Sequence, residues 1–239
     1  MMLGNFLEIS IHSPNVPESV RFYQRLGFTL IPGNDTWQHA YGVMTDGRCF
    51  IGLHAFAFPG PALTFAAPEL ARRVATLEAA GVNFEFLKLG DDEFHELGFL
   101  LPDEQMITLL EARTFSPPNP AELGESLCGW FAEYRLPVVD RDAAAARWQA
   151  LDFLEGEAPD ALHDSVTVCR TGLNVGLSES RRLRGPSLVF HLPDLAPAAA
   201  RLTELGIGFD HYQGARGDSL ELRAPEGTRL ILHAPQSHA

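Results

Sequence analysis

Residues 7–12, Leu7-Glu8-Ile9-Ser10-Ile11-His12, alternate apolar and polar side chains, which is the period of a strand with one face covered. A turn at Ser13-Pro14-Asn15 follows. Pro17 then opens a helix at a position that tolerates its missing N–H; Val20, Phe22, Tyr23 and Leu26 form its apolar stripe, and Gly27 ends it. Three strand-like runs come next, Phe28 to Ile31, Trp37 to Met44 and Arg48 to Phe56, with turns at Gly33-Asn34-Asp35 and Asp46-Gly47. The order then recurs. Ala62 to Ala66 reads as a strand, and residues 70–81 as a helix on Leu70, Val74 and Leu77. Strands are predicted over Asn83 to Leu89, His95 to Leu101 and Met106 to Glu111.

Shifted by 125 residues, this pattern falls on itself. Gly60-Pro61, Leu63 and Phe65 land on Gly185-Pro186, Leu188 and Phe190, while Glu8 lands on Glu133, Asn15 on Asp140 and Phe28 on Phe153. A repeat this long, matched at turns and apolar positions, indicates duplicated domains. The second copy is predicted to carry a strand over Phe131 to Val138, a helix over Ala143 to Ala150 and strands within Val166 to Ser178. Its final unit holds Ser187 to His191, a helix over Ala198 to Leu205 and the apolar stretch Leu220 to His233. The chain thus divides into a domain over 1–114 (modules 5–57 and 60–113), a proline-rich linker over 115–125 and a domain over 126–239 (modules 128–180 and 185–234). The fold class is α+β, with strand, helix and three strands repeated through four modules.

Composition adds limits. An apolar fraction of 46% and a charged fraction of 21% are ordinary for a globular chain. The net charge of −13 sets up a field that repels phosphate backbones and acidic lipid, so neither nucleic acid nor membrane is an expected partner. Cys49, Cys128 and Cys169 show no CxxC spacing and suit a reducing compartment, and the expected location is cytoplasmic. No segment approaches the length and apolarity of a membrane span.

The module order, with LEISIHSPNVPESVRFYQRLGF at the start, LEAAGV at 77–82, LTELGI at 202–207 and the hairpins LPDEQMITL and APEGTRLIL, resembles the vicinal oxygen chelate superfamily. That superfamily includes glyoxalase I, extradiol dioxygenases and bleomycin resistance proteins. The resemblance implies two tandem cup-shaped domains, each built from two modules, with the site inside the cup. It also implies metal-ligand positions at Glu8, Ala62 and Thr108 in the first domain and at Glu133, Ser187 and Ile231 in the second. Only one conventional ligand stands in each set, whereas a divalent ion needs about three protein ligands. No metal or other cofactor is therefore expected. A weaker likeness, of length and module order, is to the CppA-type family, described as C3-degrading proteinases; no peptidase triad or zinc-protease helix is assembled here.

Glu8 and Glu133 are the candidate catalytic residues, as general bases, because a carboxylate on an otherwise apolar strand is costly to bury alone. His54 is the candidate partner of Glu8, and Arg135 of Glu133. Candidate ligand-binding residues are His12, His54, Thr108, Arg135, Ser187 and His191. Glu8 and His12 share a strand face but lie about 13 Å apart along the backbone, too far to hold one ion. Trp37, Trp130, Trp148, Phe50, Phe99 and Phe131 are expected in the core or lining a cup. Three functions follow: binding of a small organic molecule without metal; a metal-dependent lyase or extradiol-type dioxygenase with nonstandard ligands; or an interaction protein. A homodimer is compatible with each.

Overall fold

The computed structural model describes residues 2–31, 39–112, 125–156, 165–180 and 183–235. The first module comprises β1 (Asn5–His12), α1 (Val16–Arg25), β2 (Thr29–Ile31), β3 (Tyr41–Thr45) and β4 (Phe50–His54). The second comprises β5 (Ala62–Ala67), α2 (Leu70–Ala79), β6 (Phe84–Lys88), β7 (Glu96–Leu100) and β8 (Met106–Glu111). In the third are β9 (Trp130–Pro137), α3 (Arg141–Ala150), β10 (Leu154–Gly156), β11 (Val166–Arg170) and β12 (Leu173–Ser178). The fourth holds β13 (Ser187–His191), α4 (Ala196–Glu204), β14 (Phe209–Tyr212), β15 (Gly217–Arg223) and β16 (Arg229–Pro235).

Equivalent local chemistry starts the first helix of each half. The Asn15 side chain accepts from the Glu18 N–H, and the Asp140 side chain accepts from the Ala143 N–H, so each satisfies a donor that the helix itself leaves open. Gly27 and Gly81, with φ of 91° and 83°, follow α1 and α2 in the left-handed region that glycine enters without a side-chain clash. The APEGTRLIL hairpin is as the sequence reading had it: β15 and β16 are joined by a tight turn over 224–228, closed by the Ala224 N–H and the Thr228 carbonyl. Strand β14 is missing from that reading, because three of its four side chains are exposed and it shows no apolar alternation.

Each half forms one eight-stranded sheet, ordered β2-β3-β4-β1-β5-β8-β7-β6 and β10-β11-β12-β9-β13-β16-β15-β14. At the centre of the first, β1 runs parallel to β4 and antiparallel to β5, and β5 runs parallel to β8; β9, β12, β13 and β16 repeat this. Strand period then sorts the side chains. Ile9, Ile11, Leu63, Phe65, Ile107 and Leu109 join the helix residues Phe22, Tyr23, Leu70 and Leu77 in the core. Glu8, Ser10, Thr64 and Thr108 project to the opposite face.

One apolar core runs through both halves. Phe28 meets Phe190 edge-on at 6.1 Å, Leu127 donates its N–H to the Leu26 carbonyl at 2.7 Å, and Arg170 donates to the Gly4 carbonyl at 2.6 Å. The hairpin turns also reach across. Tyr134 donates to Gln105 of the first half, while Tyr23 and Ser19 donate to the two carboxylate oxygens of Glu226 in the second, all at 2.7 Å. Burial, and after it Glu226, push the Tyr23 hydroxyl well above its ordinary range, so it stays a donor.

Candidate functional site

The face of the first sheet turned away from the helices carries a polar row at its centre. Glu8 pairs with Thr64, Thr64 with Thr108 and Thr108 with Gly98 across four neighbouring strands. The residue opposite Glu8 is thus Thr64. Ala62, the position taken from sequence, lies opposite Ser10. The β1–β5 pair shifts register between Phe6 and Glu8, and counting along one strand does not register such a shift.

Glu8 is only 2% exposed, and its carboxylate is nonetheless fully engaged. Ser10 Oγ donates to Oε1 at 2.8 Å, Tyr41 donates to Oε2 at 2.6 Å, and His54 Nε2 lies 3.1 Å from Oε1. With its proton directed at Glu8, Ser10 accepts at 2.6 Å from Thr64. The carboxylate accepts from Nε2–H of His54, which leaves Nδ1 to accept from His39 Nε2 at 3.1 Å. Burial, then Glu8, drives the Tyr41 hydroxyl far up, so it remains protonated; burial, then His54, lowers His39 and keeps it neutral near pH 7.

The backbone below is shaped for this carboxylate. A Cβ at Gly52 would lie 2.0 Å from Glu8 Oε1, so only glycine leaves room for it. Two strands away from Thr64, Gly98 leaves the same kind of space for the Phe86 ring. Aromatic rings surround His54, with Tyr41 at 4.5 Å, His39 at 5.4 Å and Phe58 at 5.6 Å between ring centres. Phe56 stacks near His39 at 5.9 Å and is 62% exposed.

In the second sheet the equivalent row reads Glu133, Val189, Ile231 and Glu221. Gly176 takes the part of Gly52, because a Cβ there would lie 2.3 Å from Glu133 Oε2. Buried Glu133 accepts from Arg135, which is wholly buried and whose Nε and Nη1 have no hydrogen-bond partner among the described residues. Ser187 stands opposite Arg135, not opposite Glu133. Glu221 accepts two bonds from Arg229, at 2.8 and 2.7 Å, which hold its carboxyl below the usual range against the opposing effect of burial. Val189 and Ile231 form a small apolar cluster with Leu183, apart from the main core.

The remaining candidates are dispersed. His12 lines a cavity between the halves; His191 lies at the end of β13 with its ring 5.6 Å from that of His233; Thr108 keeps its place in the row. Trp148 is in the core, but Trp130, the first residue of β9, is 58% exposed beneath the Arg48 guanidinium at 3.8 Å. Trp37 and residues 115–124 of the predicted linker lie outside the described residues. Sequence reasoning missed Tyr41, His39, Ser10 and Thr64. Gly52 and Gly176 were legible signals, since a glycine inside an apolar strand marks close approach of another group.

Among the described residues no three His, Cys, Asp or Glu side chains form a group that could hold a metal ion. Opposite Glu8 stand hydroxyls, opposite Glu133 stand Val189 and Ile231, and both carboxylates already accept from protein donors.

By sequence, no family model and no curated protein matches the chain. Solved structures do. Homoprotocatechuate 2,3-dioxygenase of Arthrobacter globiformis superposes with a TM-score of 0.65 at 13% identity, over 97% of this chain and 79% of that one. The 2,3-dioxygenase LapB of Pseudomonas sp. KL28 gives 0.61 at 16% identity, over 97% and 93%. A catechol 2,3-dioxygenase gives 0.61 at 13% identity, over 99% and 90%. The fold is therefore the tandem vicinal oxygen chelate fold of the extradiol dioxygenases. Among the described residues no helix is long and apolar enough to cross a membrane.

Proposed function

We propose that this protein binds a small, largely aromatic organic molecule against the polar row of its first sheet and does so without the divalent ion that the fold commonly carries. The observation that carries this reading is the closed network on Glu8: Ser10, Tyr41 and His54 occupy the carboxylate where an ion would have to bind, and Thr64 and Thr108 face it. Replacing those three donors by a cation would strand a serine hydroxyl, a phenol and an imidazole in a buried site, each with a desolvation cost of about 1–3 kcal/mol. The ring cluster of Tyr41, His54, Phe58 and the exposed Phe56 supports an aromatic ligand, as do the catechol-type substrates named for the structural neighbours. Glu8 then fixes the orientation of the Tyr41 and His54 rings, whose faces meet the ligand, and does not act as an open base. The acidic charge and scattered cysteines suit a cytoplasmic setting.

A thermal-shift screen with aromatic and apolar compounds tests the reading. A stabilising compound whose effect disappears in Phe56→Ala or Tyr41→Phe supports it, and no stabilisation across the panel counts against it. Stoichiometric iron, manganese or zinc retained through purification would instead favour a metal-dependent lyase or ring-cleaving dioxygenase with nonstandard ligands.

A further inference from the structure

A cavity of about 510 Å³ lies between the halves and shares only Phe58 with the ring cluster around His54. Ile9, Ile11, Phe58 and Leu188 give it an apolar wall, and Arg184, Arg223, Arg229 and Ser187 a polar one. Its size is that of a small-molecule site. From this arrangement we infer a second binding site, for an organic anion that joins an apolar body to a carboxylate or another monoanionic head.

The charge distribution points to an anion. The protein carries a net −13, so most of its surface repels negative ligands, yet three guanidinium groups gather on this wall. The two nearby carboxylates are already committed. Glu221 accepts two bonds from Arg229 and lies 3.5 Å from Arg223, and Glu226 accepts from Tyr23 and Ser19 of the other half. Three cations against two carboxylates leave one positive charge over.

The donors are also incompletely used. Arg229 and Ser187 are 9% and 1% exposed, and Arg229 Nη1 and Ser187 Oγ have no hydrogen-bond partner among the described residues. Native structures seldom leave such buried groups unmatched, because each forfeits its hydration without a replacement. Arg184 and Arg223 are exposed at the mouth and meet an incoming anion; the Ser187 hydroxyl turns about one torsion, and Arg229 stands behind it. Apolar residues on the far side then cover the ligand body. The site takes one residue set from β1 and another from the fourth module, so it exists only when the two halves are packed.

Isothermal titration of the full chain with 2-naphthoate and with its neutral counterpart 2-naphthamide tests this. The expected result is one naphthoate per chain, bound more tightly than the amide and more weakly as salt rises. Affinity should fall about tenfold or more in Arg184→Ser with Arg223→Ser, both exposed positions that leave the core intact, and about threefold in Ser187→Ala. Phe56→Ala, at the first-sheet aromatic cluster, should leave naphthoate binding unchanged, which separates this site from the one proposed above. Equal affinity for acid and amide, naphthoate binding unaffected by the arginine changes, or dissociation constants weaker than about 10 mM would overturn the inference.

Discussion

Glu8 and Glu133 occupy equivalent places in the two sheets, each over a glycine whose side chain would collide with it, yet they are held by different chemistry. Around Glu8 the donors are a hydroxyl, a phenol and an imidazole, and the facing residues are threonines. Around Glu133 there is a buried guanidinium, and the facing residues are Val189 and Ile231. A buried carboxylate can be kept by several neutral dipoles or by one opposite charge. The first arrangement leaves a polar, aromatic surface that a ligand can read; the second closes the charge on itself among apolar neighbours.

The comparison predicts unequal responses to mutation. Arg135→Met should be the most damaging change, at about 3–5 kcal/mol in chemical denaturation, because it leaves Glu133 buried without its cation. Adding Glu133→Leu should recover most of that loss; a double variant no more stable than the single one would mean the ion pair is not what is being lost. Next come Gly52→Ala and Gly176→Ala, which force a methyl group against the carboxylates and should each cost about 1–3 kcal/mol. Glu8→Gln should cost less, about 1–2 kcal/mol, since it keeps the shape and an acceptor while removing the charge. If Glu8→Gln proves as damaging as Arg135→Met, the two sheets do not differ in the way described.

The smallest effect concerns pH. Arg229 holds the Glu221 carboxyl below its unfolded value, so the stabilisation is complete above the ordinary carboxylate range and declines as pH falls through the lowered folded value. Glu221→Gln should flatten the acid limb of the thermal midpoint between about pH 5 and pH 3, with little change near neutrality. An unchanged acid limb would show that Glu221 does not contribute there.

Most of the architecture was legible because it rests on periodicity. Alternation marked β1, capping residues and glycines bounded α1, and the 125-residue echo exposed the doubled layout. The site was legible only in outline. Glu8 and Glu133 stood out as charges on apolar strands; Arg135 shares a strand face with Glu133 and bonds it, and His54, named as the partner of Glu8, lies within hydrogen-bond reach of it. Thr64 escaped because a register shift is a property of two strands together, and Tyr41 and His39 escaped because hydrogen bonds made from an adjoining hairpin leave no local spacing. Exposed Trp130 shows the limit of composition: a large ring implies burial until an arginine covers it.

Elemental analysis of the purified protein, repeated after incubation with iron(II), manganese(II) and zinc(II) and removal of excess ion, tests the central claim most directly. The account predicts less than about a tenth of an equivalent of any of them retained, with no rise in thermal midpoint. A full equivalent held by the wild type and lost in Glu8→Gln or Glu133→Gln would contradict it.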